Sequence, residues 1–447
     1  MKNYYDVVVI GGGAAGMAAA IEAKNTGAKN ILIIERNDEL GGILQQCIHN
    51  GFGSIVFKKD LPGPTYAQYY IEQVKKTDIK IMLNTMVMDI INIFAPNSPS
   101  PARGEGWGEE GDGRKNFELI ISSSIYGYKT LKTKSIVLAM GCRERTRAQI
   151  RLPGTRPAGV FTAGTVQRMV NIEGFIPGKN FVILGSGDIG MIMARRLTLE
   201  GCHVEKVLEI MPFLTGLRRN YVQCLQDFNI PLELKTTVNR IIGDNRVQAV
   251  ETIKVDEQLK PVLGTEQIIP CDTLLLSVGL IPENELSIKA GIELDPFTGG
   301  PIVDENMCTN VPGIYAAGNV INIQDLVDWV SETGVVAGKN AAFYAMKEEE
   351  LSSRKIILQK GENVRSVVPQ YFNQDRIKDK SVNLQIRVIQ PIEKRVNVQL
   401  YEDKKVILNF KKNYARPAEM ITIKVNGDKL LNGLEGNKLK VSVSEVI

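Results

Sequence analysis

Asp6-Val-Val-Val-Ile10-Gly11-Gly12-Gly13-Ala14-Ala15-Gly16 is the stretch on which the reading of this 447-residue chain turns. The apolar run ending at Ile10 has no alternation, which suits a strand buried on both faces of a parallel sheet. It enters a G-x-G-x-x-G turn, and a helix follows through Met17 to Lys24. A second apolar run, Asn30 to Ile34, ends at Glu35 and closes a β-α-β unit of about 30 residues. In such a turn the first glycine permits the tight bend and the second lets a pyrophosphate approach the backbone. The third lets the helix pack on the strand.

The same unit recurs. Phe181-Val-Ile-Leu184 enters Gly185-Ser186-Gly187-Asp188-Ile189-Gly190, a helix runs from Met191 to Glu200, and Val204 to Leu208 ends at Glu209. The spacing from first glycine to acid is 24 residues in both copies. One such turn is a weak signal, whereas two with matched acids are a strong one. Each helix N-terminus would face phosphates with free N–H groups and partial positive charge. Glu35 and Glu209 are placed to accept hydrogen bonds from the ribose hydroxyls of two nucleotides. The competing reading is a pair of glycine turns in an unliganded α/β fold.

Composition narrows the classes. Lys and Arg total 54 against 50 Asp and Glu, a net charge of +4 that gives no electrostatic reason to expect a nucleic-acid binder. The longest charge-free run, Asn306 to Gln324, contains Asn310, Pro312, Asn319 and Asn322, so no membrane insertion is expected. The strand pattern starting at Asp6 leaves no cleavable leader ahead of it, and the expected location is cytoplasmic. Six cysteines without a C-x-x-C pair argue against a dithiol motif, a zinc ribbon and an iron–sulfur cluster, and no metal site is expected. From Lys347 onward the chain carries 20 Lys and Arg and 13 Asp and Glu, a net of +7, against −3 for the residues before it. Body and tail therefore read as separate units.

The segment Ala95 to Lys115, rich in Pro and Gly and including Trp107, reads as a surface excursion without chemistry of its own. Beyond residue 380 apolar residues alternate with period two, for example Val382, Leu384, Ile386 and Val388, then Val396, Val398 and Leu400. That pattern predicts half-buried antiparallel strands in a small sandwich or barrel. It holds no Cys, His or glycine-rich loop, so it reads as a structural or docking module.

Three further segments carry a resemblance. Thr133-Lys-Ser-Ile-Val-Leu-Ala-Met-Gly141, Thr309 through Ala317-Gly318-Asn319, and Asp272 through Gly279-Leu-Ile-Pro282 are similar to those of the two-dinucleotide-binding flavoprotein superfamily. The resemblance spans residues 5 to about 346 and implies FAD at the first turn and a pyridine nucleotide at the second. The implied fold is α/β, with two Rossmann-like domains and a small C-terminal all-β domain. The FAD-binding domain would comprise residues 1–152 and 280–350, the NAD(P)-binding domain inserted between them residues 153–279, and the C-terminal domain residues 351–447. It also implies FAD contacts from Arg36 and Gly42, and from Asp325 and Leu326 at the start of a helix ending near Gly338. That helix would point its N-terminus at the flavin ring. Asn319 stands where the superfamily usually has Asp, though an amide there can still donate and accept. Glu209 favours NAD(H), because a carboxylate repels a 2′-phosphate, while Arg218 and Arg219 nearby keep NADP(H) open.

A narrower likeness lies in Gly41-Gly42-Ile-Leu-Gln-Gln-Cys47-Ile-His49-Asn-Gly-Phe-Gly53, Leu152 to Gly164, and Asn319 to Trp329. These resemble the FAD/NAD-dependent oxidoreductase of glycerol-3-phosphate catabolic operons. That group is akin to the FAD subunits of opine oxidase, hydrogen cyanide synthase and dye-linked proline dehydrogenase. The resemblance implies partners, a second flavoprotein and a small cysteine-containing protein, and a part in glycerol-3-phosphate metabolism.

Catalytic candidates are His49 and Cys47, on the segment that in this superfamily passes the flavin ring. His49 reads as a general acid/base or a donor to the flavin edge, or else as a loop histidine holding carbonyls. Cys47 reads as a redox thiol or as a buried structural one. Cys142 is a hinge thiol whose pKa Arg143 and Arg145 could lower, and His203 reads as structural. The leading expectation is hydride exchange between NAD(P)H and FAD. The alternatives are an assembly subunit with structural nucleotides and a Cys47-based peroxide or disulfide reductase.

Overall fold

In the computed structural model, which describes residues 3–93, 116–347 and 354–446, the strand Tyr4–Ile10 lies between two parallel partners, Ile31–Ile34 and Gly127–Leu138. Val7, Val8 and Val9 are fully buried there, as a strand covered on both faces requires. Lys80–Met82 extends the sheet beyond Ile31–Ile34. The twelve-residue strand Gly127–Leu138 serves two neighbours on its other edge. Its first half pairs antiparallel with Phe117–Ser123, which in turn pairs with Thr85–Asn92. Its last residues pair parallel with Ile314–Ala316. The chain thus leaves this sheet after Leu138 and re-enters it at Ile314.

Between those points a second parallel sheet forms in the order Val160–Thr162, Thr273–Leu276, Asn180–Leu184, His203–Glu209 and Leu232–Leu234. An antiparallel meander, Thr236–Ile242, Ala249–Lys254 and Gln267–Pro270, accompanies it. The outgoing and returning connections pair with each other, Cys142–Glu144 against Leu280–Pro282. This ladder brings the two units together at one seam.

The first crossover helix, Ala14–Thr26, is alanine-rich and buries Ala15, Ala18, Ala19 and Ala23. Those small side chains let the long helix Val327–Met346 approach closely. A Cβ on Gly334 would stand 2.3 Å from the Ala15 carbonyl oxygen, and one on Gly338 2.0 Å from that of Ala19. Only glycine fits at these two crossings.

The C-terminal strands form a five-stranded and a three-stranded sheet around their own core, which includes Phe372, Leu384, Ile386, Val398 and Val441. Two short helices, Gln374–Ile377 and Gly427–Gly433, interrupt the expected run of strands. This unit is not a loose appendage. The Asn373 amide Nδ2 donates to Asp304 and Glu305, Arg376 pairs with Asp304 at 3.1 Å, and the Gln370 side chain accepts from the Val303 N–H. Trp107 and the segment Ala95 to Lys115 lie outside the described residues.

Candidate active site

Both glycine turns open into one cleft of about 1900 Å³. Gly11 and Gly185 have φ of +107° and +101°, a conformation that side chains rarely adopt, and each presses against the carbonyl of a neighbouring strand end, Ala139 and Ser277. The middle glycines differ. A Cβ on Gly13 would meet nothing within 4 Å, whereas one on Gly187 would stand 3.1 Å from the Ser277 hydroxyl. Gly16 and Gly190 do not line the cleft but pack the helices on their strands. Ala14, Ala15, Arg36, Gly42, Gly141, Ile189 and Gly279 also line it.

The two glutamates stitch each turn to the end of its second strand. Glu35 accepts from the Gly12 N–H at 2.7 Å and the Asn37 N–H at 2.9 Å, leaving carboxylate lone pairs toward the cleft. Glu209 is more heavily engaged: its Oε2 accepts from the Ser186 N–H and hydroxyl and from the Thr215 hydroxyl, and its Oε1 from the Met211 N–H. Asp188, first residue of the helix Asp188–Leu199, accepts from the Leu217 N–H and the Asn220 amide. Burial of its carboxyl raises its pKa.

His49 lies at the cleft wall with its ring 5.0 Å from that of Phe52. Its Nδ1 meets the Asn50 carbonyl at 2.9 Å, which places the proton on Nδ1 and leaves Nε2 as an acceptor. That Nε2 is buried without a hydrogen-bond partner, and burial lowers the pKa of the ring. A neutral imidazole with a free lone pair suits proton acceptance.

The cysteines present a different chemistry. All six are free. Cys47 is 4% exposed, points its thiol at the Gln167 Oε1, and is pushed by burial up to about 12. At neutral pH it is a thiol and not the thiolate that nucleophilic cycling needs. The expectation that arginines lower the Cys142 pKa is reversed. Arg143 is spent on Glu283 and Glu285, and burial, aided by Glu283 and Glu144, raises the thiol to about 11. His203 is exposed beside Glu205, away from the cleft lining.

Residues on the FAD side are engaged by packing partners. Asn319 donates from Nδ2 to the Cys142 sulfur and accepts the Gln324 N–H on Oδ1. Asp325 lines the cleft but its Oδ1 accepts from Arg387 and the Met420 N–H, so its charge is compensated by the C-terminal sheets. Asp328 accepts from the N–H groups of Gly53, Ile55 and Val56 and so holds the loop after His49. Gly318 and Leu326 stand back from the cleft. Gly318 donates its N–H to Thr333, and Leu326 takes the N-cap position of the long helix.

The residues present fit a pair of dinucleotides. Gly13, Gly141 and Gly279 border open space, and Asn322 Nδ2, Gln324 Oε1 and Gln167 Nε2 are buried cleft-wall atoms without partners, together with His49 Nε2. Such orphans are costly unless a ligand meets them. Among the described residues no group of His, Cys, Asp and Glu is placed to hold a metal ion, and no helix is long and apolar enough to cross a membrane. Two sets of lining residues carry no local sequence signal: Gln46 and Gln167, hydrogen-bonded to each other, and Arg365, Ser366, Arg387, Pro417 and Ala418 from the C-terminal sheets.

Residues 5–341 match the family model described as pyridine nucleotide-disulphide oxidoreductase, a match that ends ahead of the C-terminal sheets. The chain is 25% identical over 365 residues to the A subunit of opine oxidase from Agrobacterium tumefaciens, a match covering 79% of this chain and 67% of that protein. It is 27% identical over 357 residues to thioredoxin reductase of Listeria innocua, covering 78% of this chain and 96% of that one. The crystal structure of T. acidophilum thioredoxin reductase superposes with a TM-score of 0.60 at 23% identity, over 77% of this chain and all of that one, a likeness of fold.

Proposed function

The chain belongs to the pyridine nucleotide-disulphide oxidoreductase family, and on that premise we propose that it exchanges a hydride between NADH and FAD held at the first turn, then passes the electrons to a separate partner. It is an oxidoreductase enzyme that uses FAD and a pyridine nucleotide. The observation that carries the proposal is the single cleft into which both glycine turns open. Bound FAD supplies a ring that accepts and returns a hydride. The protein's part is to hold both dinucleotides in register, exclude water and offer the neutral His49 Nε2 as a proton acceptor at the cleft wall. Glu209 at the end of its strand argues for NADH over NADPH.

The partner is the finer part of the proposal. A relative named as one subunit of an oxidase supports work in an assembly, and the chain spans about two thirds of that relative's length. A second flavoprotein and a small cysteine-containing protein, with glycerol-3-phosphate oxidation as the setting, rest on the resemblance of Gly41 to Gly53 and Leu152 to Gly164. The thiol reading is disfavoured by the buried, high-pKa Cys47. Anaerobic NADH titration of the FAD-loaded protein tests the central step. Bleaching of the visible flavin band is the expected result, and a flavin that NADH leaves oxidised would return the chain to a purely structural use of its nucleotides. A Cys47→Ser protein should bleach as fast as the wild type.

A further inference from the structure

Two buried glutamines meet at the seam between the two nucleotide units. Gln46 ends the short helical turn Gly42–Gln46 of the first unit, and Gln167 lies on the helix Ala163–Asn171, which opens the second. They are 7% and 1% exposed, and both line the shared cleft. The Gln46 Nε2 donates to the Gly164 carbonyl at 2.9 Å, which fixes the donor end of that amide. The same Nε2 donates to the Gln167 Oε1 at 3.1 Å, and the Cys47 thiol points at that oxygen too, at 3.7 Å. The Asn171 amide closes the joint by donating to the Gln46 carbonyl at 2.8 Å. With its oxygen facing two donors, the Gln167 amide has one orientation. Its Nε2 is left buried in the cleft wall without a partner.

An unmet N–H in a water-free wall is costly, and a ligand's acceptor removes the cost. This donor is neutral. Among the described residues no charged side chain bonds to either glutamine, and Arg168, next along the helix, is paired with Glu173. A phosphate calls for a cation, so the matching acceptor is a neutral carbonyl oxygen. Of the parts of a pyridine nucleotide, only the nicotinamide carboxamide carries one.

We propose that Gln167 binds the nicotinamide carboxamide, donating from Nε2 to its oxygen, and that Gln46 is the positioning residue that holds the Gln167 amide in that orientation. A ring held by its carboxamide cannot turn freely about its glycosidic bond, which keeps the reacting carbon aligned for hydride transfer. This rests on the reading that the second turn takes the pyridine nucleotide.

The experiment is calorimetric titration of the oxidised, FAD-loaded protein with three ligands. They are NAD+, thionicotinamide adenine dinucleotide, whose sulfur is a poorer acceptor, and ADP-ribose, which lacks the nicotinamide. The wild type should prefer NAD+ to the thio analogue. Gln167→Met should weaken NAD+ about fivefold, the effect of losing one neutral hydrogen bond. It should bind NAD+ and the thio analogue alike and leave ADP-ribose unchanged. Gln167→Glu, which keeps the oxygen that Gln46 and Cys47 face but lacks the N–H, should weaken NAD+ at least as much. Gln46→Met should weaken NAD+ through Gln167, so combining it with Gln167→Met should add no further loss.

Unchanged NAD+ affinity in Gln167→Met overturns the assignment while leaving the proposed function intact; if the visible flavin band shifts as well, the N–H belongs to a flavin carbonyl. Equal losses of NAD+ and ADP-ribose also overturn it, since they mark a distorted cleft. A wild-type protein that takes up FAD but binds neither NAD+ nor ADP-ribose removes the nucleotide reading of the second turn and this inference with it.

Discussion

At the first turn Gly13 faces open space and an alanine starts the helix; at the second Gly187 has the Ser277 hydroxyl beside it and an aspartate starts the helix. Behind the first turn lies a backbone-to-backbone crossing of two helices through Gly334 and Gly338, with Ala15 and Ala19 beneath them. Around the second lies a network of side chains, Ser186, Thr215 and Glu209. Close apolar packing suits a cradle whose ligand stays. A polar cradle suits one whose ligand comes and goes, because hydroxyl and charged groups are readily re-solvated between turnovers. The two turns share a spacing and differ in what holds them.

That contrast can be broken most severely at the helix crossing. Gly338→Val puts two methyl groups into a site where even a Cβ lies 2.0 Å from a carbonyl oxygen, and the expected outcome is loss of folded, flavin-loaded protein, read by yield and the visible flavin band. A paired comparison comes next. Gly13→Val should abolish FAD uptake while ADP-ribose still binds, and Gly187→Val should leave the protein yellow but bind ADP-ribose poorly. If either substitution removed both ligands, the turns would not act as separate sites.

The proton-accepting role of His49 gives a smaller effect. His49→Ala should slow anaerobic flavin reduction at least about tenfold, followed by stopped-flow absorbance, and a wild-type rate refutes the role. Burial lowers the His49 pKa from its ordinary 6.5. The neutral ring needed as acceptor therefore persists below pH 6.5, and the rate should fall only as pH drops through that lowered value.

The least effect is expected at the joint that holds the C-terminal wall in place. Burial, reinforced by the neighbouring Asp304, raises Glu305 to about 7. The folded carboxyl keeps its proton to about that pH, while the unfolded chain releases it near 4.5, so folding takes up a proton in this window. Stability contributed by the protonated form is lost as pH rises through the window. Glu305→Gln, which removes the charge, should stabilise the protein by about 1–2 kcal/mol at about pH 8 and by little at about pH 4, measured by chemical denaturation at both.

Much of the first unit was legible in the sequence because its information is contiguous. Val7 to Gly16 specify strand, turn and helix within ten residues, and the 24-residue spacing to each glutamate follows from one β-α-β crossing. Side-chain roles were legible only as far as residue type allows. Glu35 and Glu209 stand where the spacing puts them, yet their first partners are backbone and hydroxyl groups of their own turns. The partner of Asp325 and the pKa of Cys142 were not legible for one reason: the charges that matter to them arrive from distant segments. Arg387 reaches Asp325 across 62 residues, and Arg143 turns to Glu283 across 140 instead of toward the thiol next to it.

The amino-acid sequence alone determined that this chain builds two dinucleotide turns with matched acids, and that a β-rich unit follows them. Tertiary structure decided that both turns share one cleft, that Cys47 is sealed and His49 keeps a free nitrogen, and that Arg365 and Arg387 of the C-terminal sheets line that cleft. The division has a physical cause. Turns and strands are set by neighbouring residues through backbone sterics and hydrophobic period, whereas burial and charge pairing depend on which distant surfaces meet once the chain has closed.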